Sequence, residues 1–74
     1  MLNGKTLSSW DIEQMILIRL ADGQWRNRRQ IKAAVPDCDP DMFWGRMSDL
    51  YKTAQIERDF DVYGEAIYRI TPDQ

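Results

Sequence analysis

Histidine is absent from the 74-residue chain, and cysteine occurs once, as Cys38. A single thiol closes no disulfide within the chain, and without imidazole the usual zinc-ligand sets cannot be assembled. The same shortages remove the ordinary nucleophile–base pairs, because Cys38 has no histidine to activate it, and no glycine-rich phosphate loop is present. Catalysis is therefore not expected, nor is a metal or a cofactor. Long apolar runs are missing too. The longest, Met15 to Ile18, falls well short of the roughly 18 residues that mark a membrane span, and no signal-peptide pattern occurs. The expectation is a cytoplasmic protein without membrane contact. An excess of positive charge is also lacking: 10 Lys and Arg stand against 12 Asp and Glu, for a net charge of −2. That balance argues against simple coating of nucleic acid, whose affinity comes from counterion release by cations.

What is present is the composition of one compact domain, 43% apolar, 30% charged and 11% aromatic. Ordering each residue costs roughly 1.5 kcal/mol, so a core of this size barely carries a fold and leaves little for a cleft. The charges are unevenly placed. From Arg19 to Lys32 there are five basic residues and one acid; from Asp37 to Glu65 there are eight acids and three basic residues. A localised basic patch can anchor a phosphate backbone even when the whole chain is acidic.

Residues 1–7 show no period and are read as a short arm preceding a single domain, 8–74. Ser8-Ser9-Trp10-Asp11 is a helix-start pattern; Ile12, Met15, Ile16 and Leu20 then recur at helical spacing until Asp22-Gly23. Asn27-Arg28-Arg29-Gln30 is a second capping pattern, opening a short helix with Ile31, Ala34 and Val35 inward and Pro36 at its end. Asp39-Pro40 starts a third helix over 40–53, with Phe43, Met47, Leu50 and Ala54 as its apolar stripe. The period then becomes alternating on both sides of a turn containing Gly64, which predicts a hairpin over 55–71. Gln24-Trp25 is placed to add a short third strand. Trp10, Trp25, Phe43, Tyr51, Phe60 and Tyr68 are expected in the core or covering the sheet. The apolar run of the first helix is wider than one stripe needs, so it is either covered on two sides or forms a dimer seam.

In order, these residues resemble the winged helix-turn-helix superfamily, particularly its compact bacterial and phage members. The pieces that carry the resemblance are Phe43-x-x-x-Met47-x-x-Leu50-x-x-x-Ala54-x-Ile56, then Arg58-Asp59, the Gly64 turn and Ala66-Ile67-Tyr68-Arg69-Ile70-Thr71, with Met15 to Gly23 and Arg29 to Val35 matching the first two helices. The resemblance implies an α+β domain of three helices with a C-terminal hairpin wing. It also implies a small transcriptional regulator that binds double-stranded DNA, with helix 40–53 in the major groove and the wing against the backbone.

On that reading Arg26, Arg28, Arg29 and Lys32 contact phosphates, while Trp44, Arg46, Ser48 and Lys52 lie near the groove. Arg28 and Arg29 sit in a first helical turn, where the dipole disfavours cations, so something must compensate them. The plain alternative is that Arg26 to Lys32 is a solvated face. The acids Asp37, Asp39 and Asp41 depart from the family pattern; capping explains Asp39 without any partner. A second functional reading follows from them. Asp41, Met42 and Trp44 would form a contact surface for a protein partner or for a second copy of the chain, since exposed Trp is enriched at binding hot spots.

Overall fold

The computed structural model describes residues 8–36 and 38–72, so the arm over 1–7 and Asp37 lie outside the described residues. Three helices and a three-stranded antiparallel sheet follow one another as α1 (Ser9–Leu20), β1 (Arg26–Asn27), α2 (Arg28–Lys32), α3 (Pro40–Lys52), β2 (Ile56–Phe60) and β3 (Ala66–Ile70). The sheet order is β1-β3-β2.

Each helix begins where its capping chemistry dictates. Ser8 Oγ accepts from the Asp11 N–H at 3.1 Å, and the Ser8 N–H donates back to the Asp11 carboxylate. Asn27 and Gln30 make the same reciprocal pair at the head of α2, both bonds at 2.9 Å. Asp39 caps α3 by accepting from the Asp41 and Met42 N–H groups, with Pro40 in the first helical position, where a missing N–H loses nothing.

The core is one cluster between the helices and one face of the sheet. Ile12, Ile16 and Leu20 of α1 meet Ile31 and Val35, Phe43, Met47 and Leu50 of α3, and Ile56 and Tyr68 of the sheet. Pairing of β2 with β3 sets Ile56 opposite Ile70, Arg58 opposite Tyr68 and Phe60 opposite Ala66. Those six residues share the face that carries the core, because side chains alternate along a strand. The hairpin closes through a three-residue loop. Gly64, at φ +81°, follows a turn in which its N–H donates to the Asp61 carbonyl and the Asp61 N–H donates to the Glu65 carbonyl.

Four local expectations are corrected. The third strand lies at Arg26–Asn27 rather than at Gln24-Trp25, because the Asp22 carboxylate holds the Gln24 N–H and the Arg26 guanidinium and so shapes that segment into a turn. Regular helix ends at Lys32, well before Pro36, and single turns carry the chain to Val35. Ala54 is not part of the α3 stripe. It is exposed at φ +64°, the left-handed residue of a helix stop in which the Ala54 N–H donates to Tyr51 and the Gln55 N–H donates to Leu50. Finally, of the six aromatics expected in the core or covering the sheet, Phe43 and Tyr68 are buried in the core and the other four are not. Trp10 is 65% exposed, Phe60 58%, Tyr51 43% and Trp25 36%. Isoleucine, leucine and valine already fill the small interior, so the larger rings lie at its margin.

Candidate nucleic-acid interface

The described cations do not share one fate, and the site gathers around those on α2, α3 and β2 that make no ion pair among the described residues. Arg26, at the start of β1, is held by Asp22 in a two-point contact at 2.7 and 2.9 Å. This pairing, with the Gln24 N–H beside it, keeps the Asp22 carboxyl well below the usual carboxylate range and raises Arg26 above its ordinary value. Arg46 turns across the helix interface to Glu13 of α1 at 3.0 Å and to Asp49 at 2.8 Å. Arg29 bonds Glu65 at the turn of the hairpin at 2.9 Å, although most of its side chain stays in water. The unfavourable placement of cations at the head of α2 is thus offset within the chain: Arg29 by Glu65, and Arg28 by an aromatic ring.

That ring is Trp44. The Arg28 guanidinium lies 4.6 Å from its centroid, and Trp44 in turn packs edge-on against buried Phe43, with ring centroids 5.6 Å apart. Trp44, Ser48 and Tyr51 follow one another on α3 at spacings of four and three residues, so they line one side of the helix. At the far end the Arg58 guanidinium of β2 lies 4.8 Å from the Tyr51 ring and 5.6 Å from Phe60. Two stacked arginines therefore flank Ser48. A stacked guanidinium keeps its N–H edge free to donate, so neither stack consumes the hydrogen-bonding capacity that recognition needs.

The Arg28–Trp44 stack is a ridge between two depressions. One, of about 720 Å³, lies between α2 and the start of α3 and is lined by Arg28, Arg29, Lys32, Pro36, Phe43 and Trp44 among others. The second, of about 280 Å³, runs along α3 toward β2, with Arg28, Trp44, Ser48, Tyr51 and Arg58 in its walls. Among the described residues no carboxylate lines either one. Asp41 and Met42 are exposed in the first turn of α3 but do not line these depressions, and Asp49 is engaged by Arg46. Lys52 is exposed one turn beyond Ser48 and makes no ion pair among the described residues. Lys32 donates to the Val35 carbonyl at 3.3 Å and lies 6.0 Å from the Phe43 ring.

Of the residues assigned to the site from sequence, the structure brings Arg28, Arg29, Lys32, Trp44 and Ser48 together, with Lys52 adjacent. It directs Arg26 and Arg46 into internal pairs. Arg58 was missed. Its signal was the alternation Ile56, Arg58, Phe60, which places the arginine on the same face as a core residue and so beside the end of α3.

Burial raises the Cys38 thiol above its ordinary value, so it stays protonated near neutral pH. Among the described residues no group of three His, Cys, Asp or Glu is arranged to hold a metal ion, and no helix is long and apolar enough to cross a membrane. Comparison with family models, with curated proteins and with solved structures returns no match to this chain.

Proposed function

We propose that this chain is a winged-helix protein that binds double-stranded DNA as a cytoplasmic transcriptional regulator. In this reading α3 is the recognition helix and the β2–β3 hairpin is the wing. The order α1-β1-α2-α3-β2-β3, with β3 between β1 and β2, supports the fold assignment. The observation that carries the function is the segregation of charge: two adjoining depressions on the outer side of α2 and α3 hold arginine and lysine and, among the described residues, no acid. Phosphate is drawn to such a surface. Arg28 and Arg58 donate to the duplex from opposite ends of the exposed α3 stripe, Lys32 and Lys52 add charge beside them, and Ser48 faces the base edges.

Fluorescence anisotropy with mixed-sequence duplex tests this reading. Binding at about 50 mM salt that weakens strongly at about 200 mM is the expected result. A folded protein that leaves the duplex free at both salts would overturn it.

A further inference from the structure

The tip of the hairpin presents an arrangement that duplex binding does not use. Val62 and Tyr63 are 92% and 91% exposed, the highest values among the large apolar residues of the fold. They are not on a slack loop. The Asp61 carboxylate accepts from the Tyr63 and Glu65 N–H groups at 2.8 and 2.9 Å, and the turn closes on Gly64, so the two side chains are held out on a fixed knob. The charge near this knob is acidic: Asp59 and Asp61 make no ion pair among the described residues, while Glu65 is neutralised by Arg29. A duplex phosphate would be repelled there.

The complementary shape and charge lie elsewhere on the same chain. The depression of about 720 Å³ between α2 and α3 has an apolar lining that includes Ala33, Pro36, Pro40 and Phe43, and beside it Arg28 and Lys32 make no ion pair among the described residues. A convex apolar knob beside two acids without ion pairs thus matches a concave apolar groove beside two cations without ion pairs among the described residues. The exposure of Val62 and Tyr63 means that the knob does not fill its own groove.

We propose that copies of this chain associate head to tail, the Val62–Tyr63 tip of one seated in the α2–α3 groove of the next. Such a contact joins two different surfaces, so each added copy leaves one tip and one groove open and the assembly grows as an open chain. The knob is small, so association is weak and rises with concentration. Charge complementarity makes it weaken with salt. The groove holds either the tip of a neighbour or a duplex phosphate, and the self-association is testable without any nucleic acid.

Sedimentation velocity of the full chain, at about 20 µM and about 1 mM, reads the association directly. The wild type is expected to grow beyond dimer at the higher concentration. The tip variant Val62→Ser/Tyr63→Ser and the groove variant Ala33→Glu are each expected to remain monomeric, with circular dichroism verifying that both are folded. Mixed in equal amounts they restore one intact contact, and dimers but no larger species are expected. A wild type that is monomeric at both concentrations overturns the proposal. So does association that survives both variants, which would place the contact on another face such as α1, and so does a mixture that forms no dimer.

Discussion

Arg26 and Arg46 on one side of the molecule, and Arg28 and Arg58 on the other, are the same residue type put to opposite uses. The first two are closed by carboxylates: Arg26 by Asp22, Arg46 by Glu13 and Asp49. Their N–H groups are occupied, and what they contribute is positional, tying the end of α1 to β1 and α1 to α3. The second two lie over Trp44 and Tyr51 and make no ion pair among the described residues. An aromatic face orients a guanidinium without satisfying its donors. Availability for a partner is therefore decided by whether a carboxylate also reaches the guanidinium, as Glu57 reaches Arg69 although that arginine lies over Trp25, and counting cations along the chain does not reveal it.

The sharpest way to break this contrast is to alter each pair in turn. Arg28→Glu/Arg58→Glu is expected to weaken duplex binding by about 100-fold at low salt, or about 2.7 kcal/mol, and to flatten its salt dependence. Arg26→Gln/Arg46→Gln is expected to change affinity by less than about threefold per folded molecule, because those donors are not offered to a ligand. Equal losses from the two double variants would remove the distinction.

The closed pair has its own readout in stability. Arg46 is only 26% exposed, and its loss leaves Glu13, at 25%, without its partner in the α1–α3 seam. Arg46→Ala is expected to cost about 1 to 2 kcal/mol in urea unfolding, more than an exposed ion pair gives, since a half-buried carboxylate stays behind. Glu13→Gln/Arg46→Met, which removes both charges, should recover most of that loss.

This division also marks how far the sequence could be read. Capping pairs are local, so Ser8 with Asp11, Asn27 with Gln30, and Asp39 before Pro40 placed three helix starts, and the change from helical to alternating period placed the hairpin. The arginine partners are set by tertiary approach. Glu13 reaches Arg46 across 33 residues and Glu65 reaches Arg29 across 36, separations that carry no periodic signal. Asp22–Arg26 is different, because four residues separate the two and the pair was legible in principle. It was obscured by the cluster of basic residues that follows, in which Arg26 looked like one of several equivalents. Arg58 was hidden by the opposite error: a strand position beside the core was read for its neighbours and not for itself.

Helix α3 carries a smaller mismatch that bears on the outward side. Gly45 sits mid-helix, where a methyl group would meet nothing within 4 Å, while Ala54 holds a left-handed conformation at φ +64° that suits glycine. Gly45→Ala and Ala54→Gly are each expected to stabilise the fold by about 1 kcal/mol, read as a shift in the urea midpoint at constant slope. Their effects on duplex affinity should differ. Ala54 lies past the helix end, away from the Trp44–Ser48–Tyr51 stripe, and its replacement should leave binding unchanged. Gly45 adjoins that stripe, so an added methyl tests how closely the duplex approaches the α3 backbone.

The smallest expected effect belongs to the most closed arginine. Asp22 is held below its ordinary value of 3.8 by the Arg26 guanidinium first and by the Gln24 N–H second. A carboxyl whose folded value is depressed binds fewer protons when folded than when unfolded, so its contribution is complete above the unfolded value and fades as pH falls toward the folded one. Wild type and Asp22→Asn should therefore differ in Tm by a constant amount from neutral pH down to about pH 5, and the difference should shrink progressively below about pH 4. The constant part should be modest, because this pair is in contact with solvent and is screened by it. A difference that grew on acidification would mean that Asp22 is protonated more readily in the folded chain than in the unfolded one. Arg26 would then be released toward the basic face, and the separation between closed and open arginines would hold only near neutral pH.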